Sequence, residues 1–347
     1  MISKQNYKIE SFDPDTASED TREQVIDIME ENSYEDFPDY PFSREEVRKS
    51  WKVKNPYKNV FRWIGRNQHG DVIAYALQVN DNPTSPEYEP NKDVVYANLR
   101  VKKAYRRQGI GSEFLDLMKK HTVKMGGKIL ELFTCNPAAI AYAEKLGLEV
   151  KHKHYVNRVF LKDIDWDLMR EWVNNGTIKA PGVKLELISI IPDEDLEQFT
   201  DLYTETINQA PWGGSTEERV TPESYRVREK EAEEEGKEHW VYCSREPNGE
   251  LSGLTEVYYT PDLPRGINQE LTGVRDKYRE RGLGKWLKAQ MALYVREKYP
   301  SVEYISTGNA VNNGPMLAIN HQMGYREVNV FHLYNIIANE GCYSVIQ

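Results

Sequence analysis

The chain has little cysteine, no long apolar run and no excess of positive charge, and each shortage closes off a class of protein. Its three cysteines, Cys135, Cys243 and Cys342, are an odd number with no metal-like spacing. That excludes a disulfide framework and a cysteine-built metal centre, so no metal is expected and the setting expected is reduced and cytoplasmic. No apolar stretch approaches membrane-span length, and the residues after Met1 lead into no signal-peptide core, so no membrane partner is expected. The net charge of −10 argues against a general basic surface for nucleic acid and suits a cationic or amine ligand. What is present, 347 residues of which 39% are hydrophobic and 29% charged, suits a soluble chain of two domains, each with its own core.

One phrase occurs twice, 173 residues apart. Val101-Lys102-Lys103-Ala104-Tyr105-Arg106-Arg107-Gln108-Gly109-Ile110-Gly111 is matched by Val274-Arg275-Asp276-Lys277-Tyr278-Arg279-Glu280-Arg281-Gly282-Leu283-Gly284. The interval is a domain length, not a solenoid unit. Around each copy the order of elements is the same: a hairpin, a strand into the motif, an amphipathic helix, a strand, a short helix and a closing strand. The closing strands are expected at residues 155–161 and 330–336. Residues 1–163 therefore read as one domain, 164–182 as a linker whose helix breaks at Asn174-Asn175-Gly176, and 183–347 as a second domain.

A strand end, a basic turn and Gly-x-Gly at a helix start build a phosphate cradle. The first glycine frees the bend and the second lets an anion reach the orphan amides and positive dipole end of the helix. Arg106, Arg107, Gln108, Arg279 and Arg281 add charge-assisted donors. A P-loop is excluded because no Gly-Lys-Ser/Thr follows at its spacing. A dinucleotide fingerprint is excluded because a third glycine is missing and a hairpin precedes the motif.

These residues resemble the GCN5-related N-acetyltransferases (GNAT), whose phosphate motif Gln/Arg-x-x-Gly-x-Gly/Ala is matched at Arg106–Gly111 and Arg279–Gly284. The family's later motif is matched by Asn136 with Gly147-Leu148 and by Asn313 with Gly324-Tyr325. The second half is also similar to mycothiol-synthase-related bacterial members. The resemblance implies an α/β (α+β) fold of two consecutive GNAT domains, each a mixed, mostly antiparallel sheet flanked by helices and splayed between its fourth and fifth strands. It implies acetyl-CoA as cofactor, an amine acceptor as partner, direct N-acetyl transfer, and a monomer or homodimer. The expected cofactor contacts are Val101, Lys103, Arg106, Arg107, Gln108, Gly109, Ile110, Gly111, Ser112 and Asn136 in the first half. In the second they are Val274, Asp276, Arg279, Glu280, Arg281, Gly282, Leu283, Gly284, Lys285, Asn309 and Asn313.

Direct transfer needs a base for the amine proton. Glu270 shares a strand face with Val274 and is the expected base, with Glu256 a weaker alternative; the first half has Ala97 at the matching place and only Glu131 comparably set. The family's tyrosine acid is replaced by Ala143 and Asn320, and Asn320 is expected to hydrogen-bond the thiol arm instead. Tyr40 and Trp212 stand in loops expected to roof the acceptor, while 229–235 reads as a solvated helix face. The second domain is the expected catalyst, with the first still able to bind CoA. Catalysis by both domains, or CoA sensing without turnover, stays open.

Overall fold

Strand and helix boundaries follow local chemistry closely. The computed structural model describes residues 7–38, 41–209 and 218–338. In chain order the first half forms β1 (Tyr7–Ser11), α1 (Glu19–Asp36), α2 (Arg44–Lys52), β2 (Lys58–Asn67), β3 (Val72–Asp81), α3 (Tyr88–Asn91), β4 (Val94–Val101), α4 (Ile110–Lys124), β5 (Ile129–Thr134) and α5 (Pro137–Lys145). The second forms β6 (Val150–Phe160), α6 (Trp166–Lys179), β7 (Lys184–Ile188), α7 (Asp193–Asn208), α8 (Pro222–Glu234), β8 (Glu238–Arg245), β9 (Leu251–Tyr259), β10 (Gly266–Val274), α9 (Leu283–Lys298), β11 (Tyr304–Ala310), α10 (Gly314–Met323) and β12 (Arg326–Ile337). Side chains start several helices: Ser43 and Thr221 close capping boxes, and Asn136 and Asn313 cap α5 and α10.

The chain divides into two compact units, Met1–Lys151 with His332–Gln347, and His152–Phe331. In the first, β1 to β4 pair antiparallel in order, β4 pairs parallel with β5, and β5 pairs antiparallel with the end of β12. In the second, β7 to β10 pair antiparallel, β10 pairs parallel with β11, and β11 pairs antiparallel with β6. Within each unit the pairing is mixed and mostly antiparallel. Each forks at the same place, because parallel pairing stops at Ala97↔Leu132 in one unit and Gln269↔Thr307 in the other.

The closing strands lie opposite to the sequence expectation. Tyr155 pairs with Asn309 of β11, and Leu333 pairs with Phe133 of β5, so each repeat is completed by the other's last strand. Residues 164–182 are likewise no free linker. Ile164, Met169 and Trp172 of this stretch bury in the core of the second unit beside Ala289, Met291 and Val295 of α9, which commits the chain leaving β6 to that unit.

Nor does α6 break at Asn174–Gly176; it runs on to Lys179 because Gly176 lets Trp286 approach. A Cβ on Gly176 would stand 2.4 Å from Trp286 Cγ. Gly176→Ala gains about 1 kcal/mol of helix propensity, but overpacking against the rigid base of an indole costs about 1–3 kcal/mol. The expected result is a melting temperature unchanged to a few degrees lower in a thermal scan; a higher value contradicts the close contact.

Candidate active site

After β4 and after β10 the chain makes the same turn. A 3-10 turn (Lys103–Tyr105, Asp276–Tyr278) leads to Arg107 at φ 64° or Glu280 at φ 66°, then to Gly109 at 86° or Gly282 at 80°. Among the described residues Arg107 and Glu280 are the non-glycine positions with positive φ, a conformation costing about 1–2 kcal/mol. Alternating left-handed residues turn successive N–H groups into a concave anion nest. The nest opens on the first turn of α4 or α9, whose N-cap glycines offer no side chain to the orphan amides. The backbone of both units thus fits a diphosphate.

Their surroundings differ. In the second unit a groove of about 990 Å³ runs from Arg279, Glu280, Gly282, Leu283, Gly284 and Lys285 along Val274–Glu270 to the fork at Thr307–Ala310, with Asn309 and Asn313 on its far wall. In the first, the fork holds about 100 Å³ between β4, β5 and α5, bordered by none of Arg106–Ser112. The acidic end of α1 crowds that cradle. Arg106 donates to Glu35 at 3.1 and 2.6 Å and to Asn32, and Asn136 donates to Glu35 at 3.2 Å and Asp36 at 2.9 Å. Burial acts to raise the Glu35 carboxyl, but Arg106 and Asn136 outweigh it and hold the group below the usual carboxylate range. The Lys103 amide donates to Glu31 at 3.3 Å.

The other expected contacts are local. Val101 ends β4, Gln108 donates to Ala104 O, Ile110 is buried, and Ser112 accepts from Tyr142. In the second unit the Asp276 amide donates to Glu205 at 3.0 Å, Arg279 pairs with Asp276 at 3.0 Å, Arg281 with Glu246 at 2.9 Å, and Lys285 donates to Gln322 at 2.8 Å. Asp276 and Arg281 do not border the groove. Nor does Asn320, contrary to expectation: it is fully buried and its amide donates to Asn309 Oδ1 at 2.6 Å, so it positions Asn309. Tyr40 and Trp212 lie outside the described residues.

At the fork β10 slips register between Gln269 and Thr272, and this bulge re-aims Glu270. Glu270, Tyr203 and Arg228 border both the groove and a second cavity of about 370 Å³, which is also lined by Glu231, Glu235, Lys237, Glu256 and Tyr258. Glu270 meets water in the groove yet lies deep between its walls. That loss of bulk hydration pushes its carboxyl up, Glu256 pushes the same way, and Arg228 and Lys237 oppose.

Glu256 behaves differently. Burial acts to raise its carboxyl too, but His239 at 2.9 Å, Arg228 and Tyr203 at 2.8 Å outweigh it and hold it low. The two neighbouring carboxyls are thereby shifted in opposite directions, Glu256 down and Glu270 up. In the first unit burial raises Glu131. There Ala97 is the equivalent of Gln269, the last residue before the fork, and β4, which lacks the bulge, continues with Asn98 and carries no carboxylate at that place.

Sequence reasoning missed Arg228, Tyr203 and Lys288. Arg228 precedes a stretch read as a solvated helix face, yet α8 turns it and Glu231 toward the second cavity. Arg228 Nη1 donates to Tyr203 Oη at 2.5 Å, and His239 stacks on Tyr258 at 4.2 Å between centroids.

Residues 22–148 match the model of the acetyltransferase (GNAT) family. No curated protein sequence matches the chain. Among solved structures of similar fold, a tandem GNAT protein from the clavulanic acid biosynthesis pathway is 18% identical, with 97% of this chain and 100% of that chain covered and a TM-score of 0.78. A GCN5-related N-acetyltransferase from Sphaerobacter thermophilus is 14% identical over 98% of both chains, at 0.66. Saccharomyces cerevisiae N-myristoyltransferase, solved with bound myristoyl-CoA, is 10% identical over 96% of this chain and 79% of its own, at 0.58. Residues 22–148 thus carry the GNAT family pattern, and the chain over nearly its whole length has the fold of a tandem GNAT protein.

Proposed function

We propose that the second unit is an acyl-CoA-dependent N-acyltransferase acting by direct transfer on a primary amine of a small molecule or peptide, with acetyl-CoA the donor read from the sequence. One observation carries this reading: Glu270 stands where a long groove from the anion nest meets a second, polar cavity. A thioester donor supplies the activated acyl carbonyl; the rest falls to the chain. The nest and Arg279 hold the diphosphate, and Val274–Glu270 guides the arm as an added strand. Glu270 takes the proton of an amine presented from the second cavity. A nitrogen–carbon bond forms, the carbon–sulfur bond breaks, and the thiolate leaves with a proton from solvent. Its excess of carboxylates suits the second cavity to a cationic amine.

We assign the first unit no turnover and no cofactor, because its own Glu35 and Asp36 stand at the cradle and its fork is small. The test is a screen of primary amines with acetyl-CoA and with longer acyl-CoA thioesters, succinyl-CoA among them, reading thiol release and the mass of the amide. Amine-dependent release is the expected result. Tight CoA binding without release for any amine would instead make the chain a CoA-sensing protein.

A further inference from the structure

Lys288, in the second turn of α9, is the one lysine or arginine buried among the described residues, at 1% exposure. Its Nζ lies 5.3 Å from the centre of the Tyr325 ring, and no carboxylate pairs with it among the described residues. Burial alone pushes its amine down to about 7. The side chain is not sealed in the core, because Lys288 borders the groove. Its place there is fixed by Tyr325, whose hydroxyl donates at 3.1 Å to Gln269, the last residue of β10 paired with β11. Lys288 therefore lies beneath the fork. Val274 beside the nest and Gln269 at the fork are about 17 Å apart along an extended strand, a span suited to an extended pantetheine arm.

A lone amine in such a place is costly unless something pairs with it, and a methionine would pack as well. Given the acyl-CoA reading, on which this inference rests, the part of the ligand that reaches the fork is the acyl chain. An acetyl or alkyl group leaves the amine without a partner. A chain ending in a carboxylate satisfies it and restores its charge.

We propose that the groove selects the CoA thioester of a short dicarboxylic acid, with the distal carboxylate paired to Lys288. Tyr325 then contributes its ring face to the same ammonium, and Asn309, held by Asn320 and Asn157, stays on the far wall. The transfer chemistry at Glu270 is unchanged.

Calorimetric titration of the full chain with CoA, succinyl-CoA and butyryl-CoA tests this. The two thioesters share a four-carbon chain and differ by carboxylate against methyl. Succinyl-CoA is expected to bind about 10- to 100-fold more tightly than butyryl-CoA, and Lys288→Met is expected to abolish the difference. Equal affinities, a preference for butyryl-CoA, or a preference that survives Lys288→Met each overturn the proposal while CoA binding stands. A mass increment on Lys288 overturns it as well, since the amine is then an acyl acceptor. Failure of CoA itself to bind is a separate result that removes the acyl-CoA reading underneath.

Discussion

Glu270→Gln is expected to lower kcat by about 10²–10⁴-fold, the usual worth of a positioned general base. The fold has little stake in this side chain, which faces the groove rather than the core, so the circular dichroism spectrum should match that of the parent. The pH dependence gives the sharper signature. A base works only when ionised, so kcat/KM should rise with pH through the carboxyl pKa and fall away on the acid side. Because loss of bulk hydration between the groove walls and Glu256 both raise Glu270, that limb should lie above the ordinary carboxylate range. Glu256→Gln removes a negative neighbour and should move the limb to lower pH. Arg228→Gln removes a positive one and should move it to higher pH. Unchanged turnover in Glu270→Gln, or an acid limb that persists in it, would remove Glu270 as the base and leave Glu256 in its place.

The parts of this site written in local backbone chemistry are legible in the amino-acid sequence. Arg279–Gly284 and Arg106–Gly111 need Gly282 and Gly109 to make a left-handed turn. The two-residue strand period that points to Glu270 is itself broken by the bulge between Gln269 and Thr272, so it finds the carboxylate on the right strand but not by the right register. The fork follows from the family resemblance. Three things are not legible there, each for a physical reason. The exchange of closing strands depends on which distant edge each strand meets, and both edges are copies of one repeat. The helix α6 reads as a linker because its breaker signals, two asparagines and a glycine, are answered only by Trp286, more than a hundred residues away. Lys288 lies among apolar positions of α9, and a lysine there counts as solvent-facing in any hydrophobic period. Its burial is visible only once Tyr325 and the groove are in place.

Gly284→Asp is the second large expected effect, and it separates the two cradles. Gly284 has an ordinary backbone, and a Cβ there would meet nothing nearer than Ile319 Cδ1 at 3.7 Å, so the substitution fits. At the second position of α9 an aspartate even favours the helix dipole by about 0.3–1 kcal/mol. Its carboxylate, however, sits where the diphosphate must. Two like charges about 4 Å apart at a protein surface repel by about 4 kcal/mol before salt screening, so CoA affinity is expected to fall by about 10²–10³-fold in a chain at least as stable as the parent. Gly284→Asn, of equal size and no charge, should lose far less. The matching change Gly111→Asp is sterically as mild, with Leu99 Cδ2 at 4.0 Å, and it places its charge in a cradle that Glu35 already approaches through Arg106. No loss of CoA affinity is expected there, and the parent should bind one CoA per chain. A stoichiometry of two, with each variant losing one site, would instead show that Glu35 and Asp36 swing aside for the cofactor and that both units are loaded.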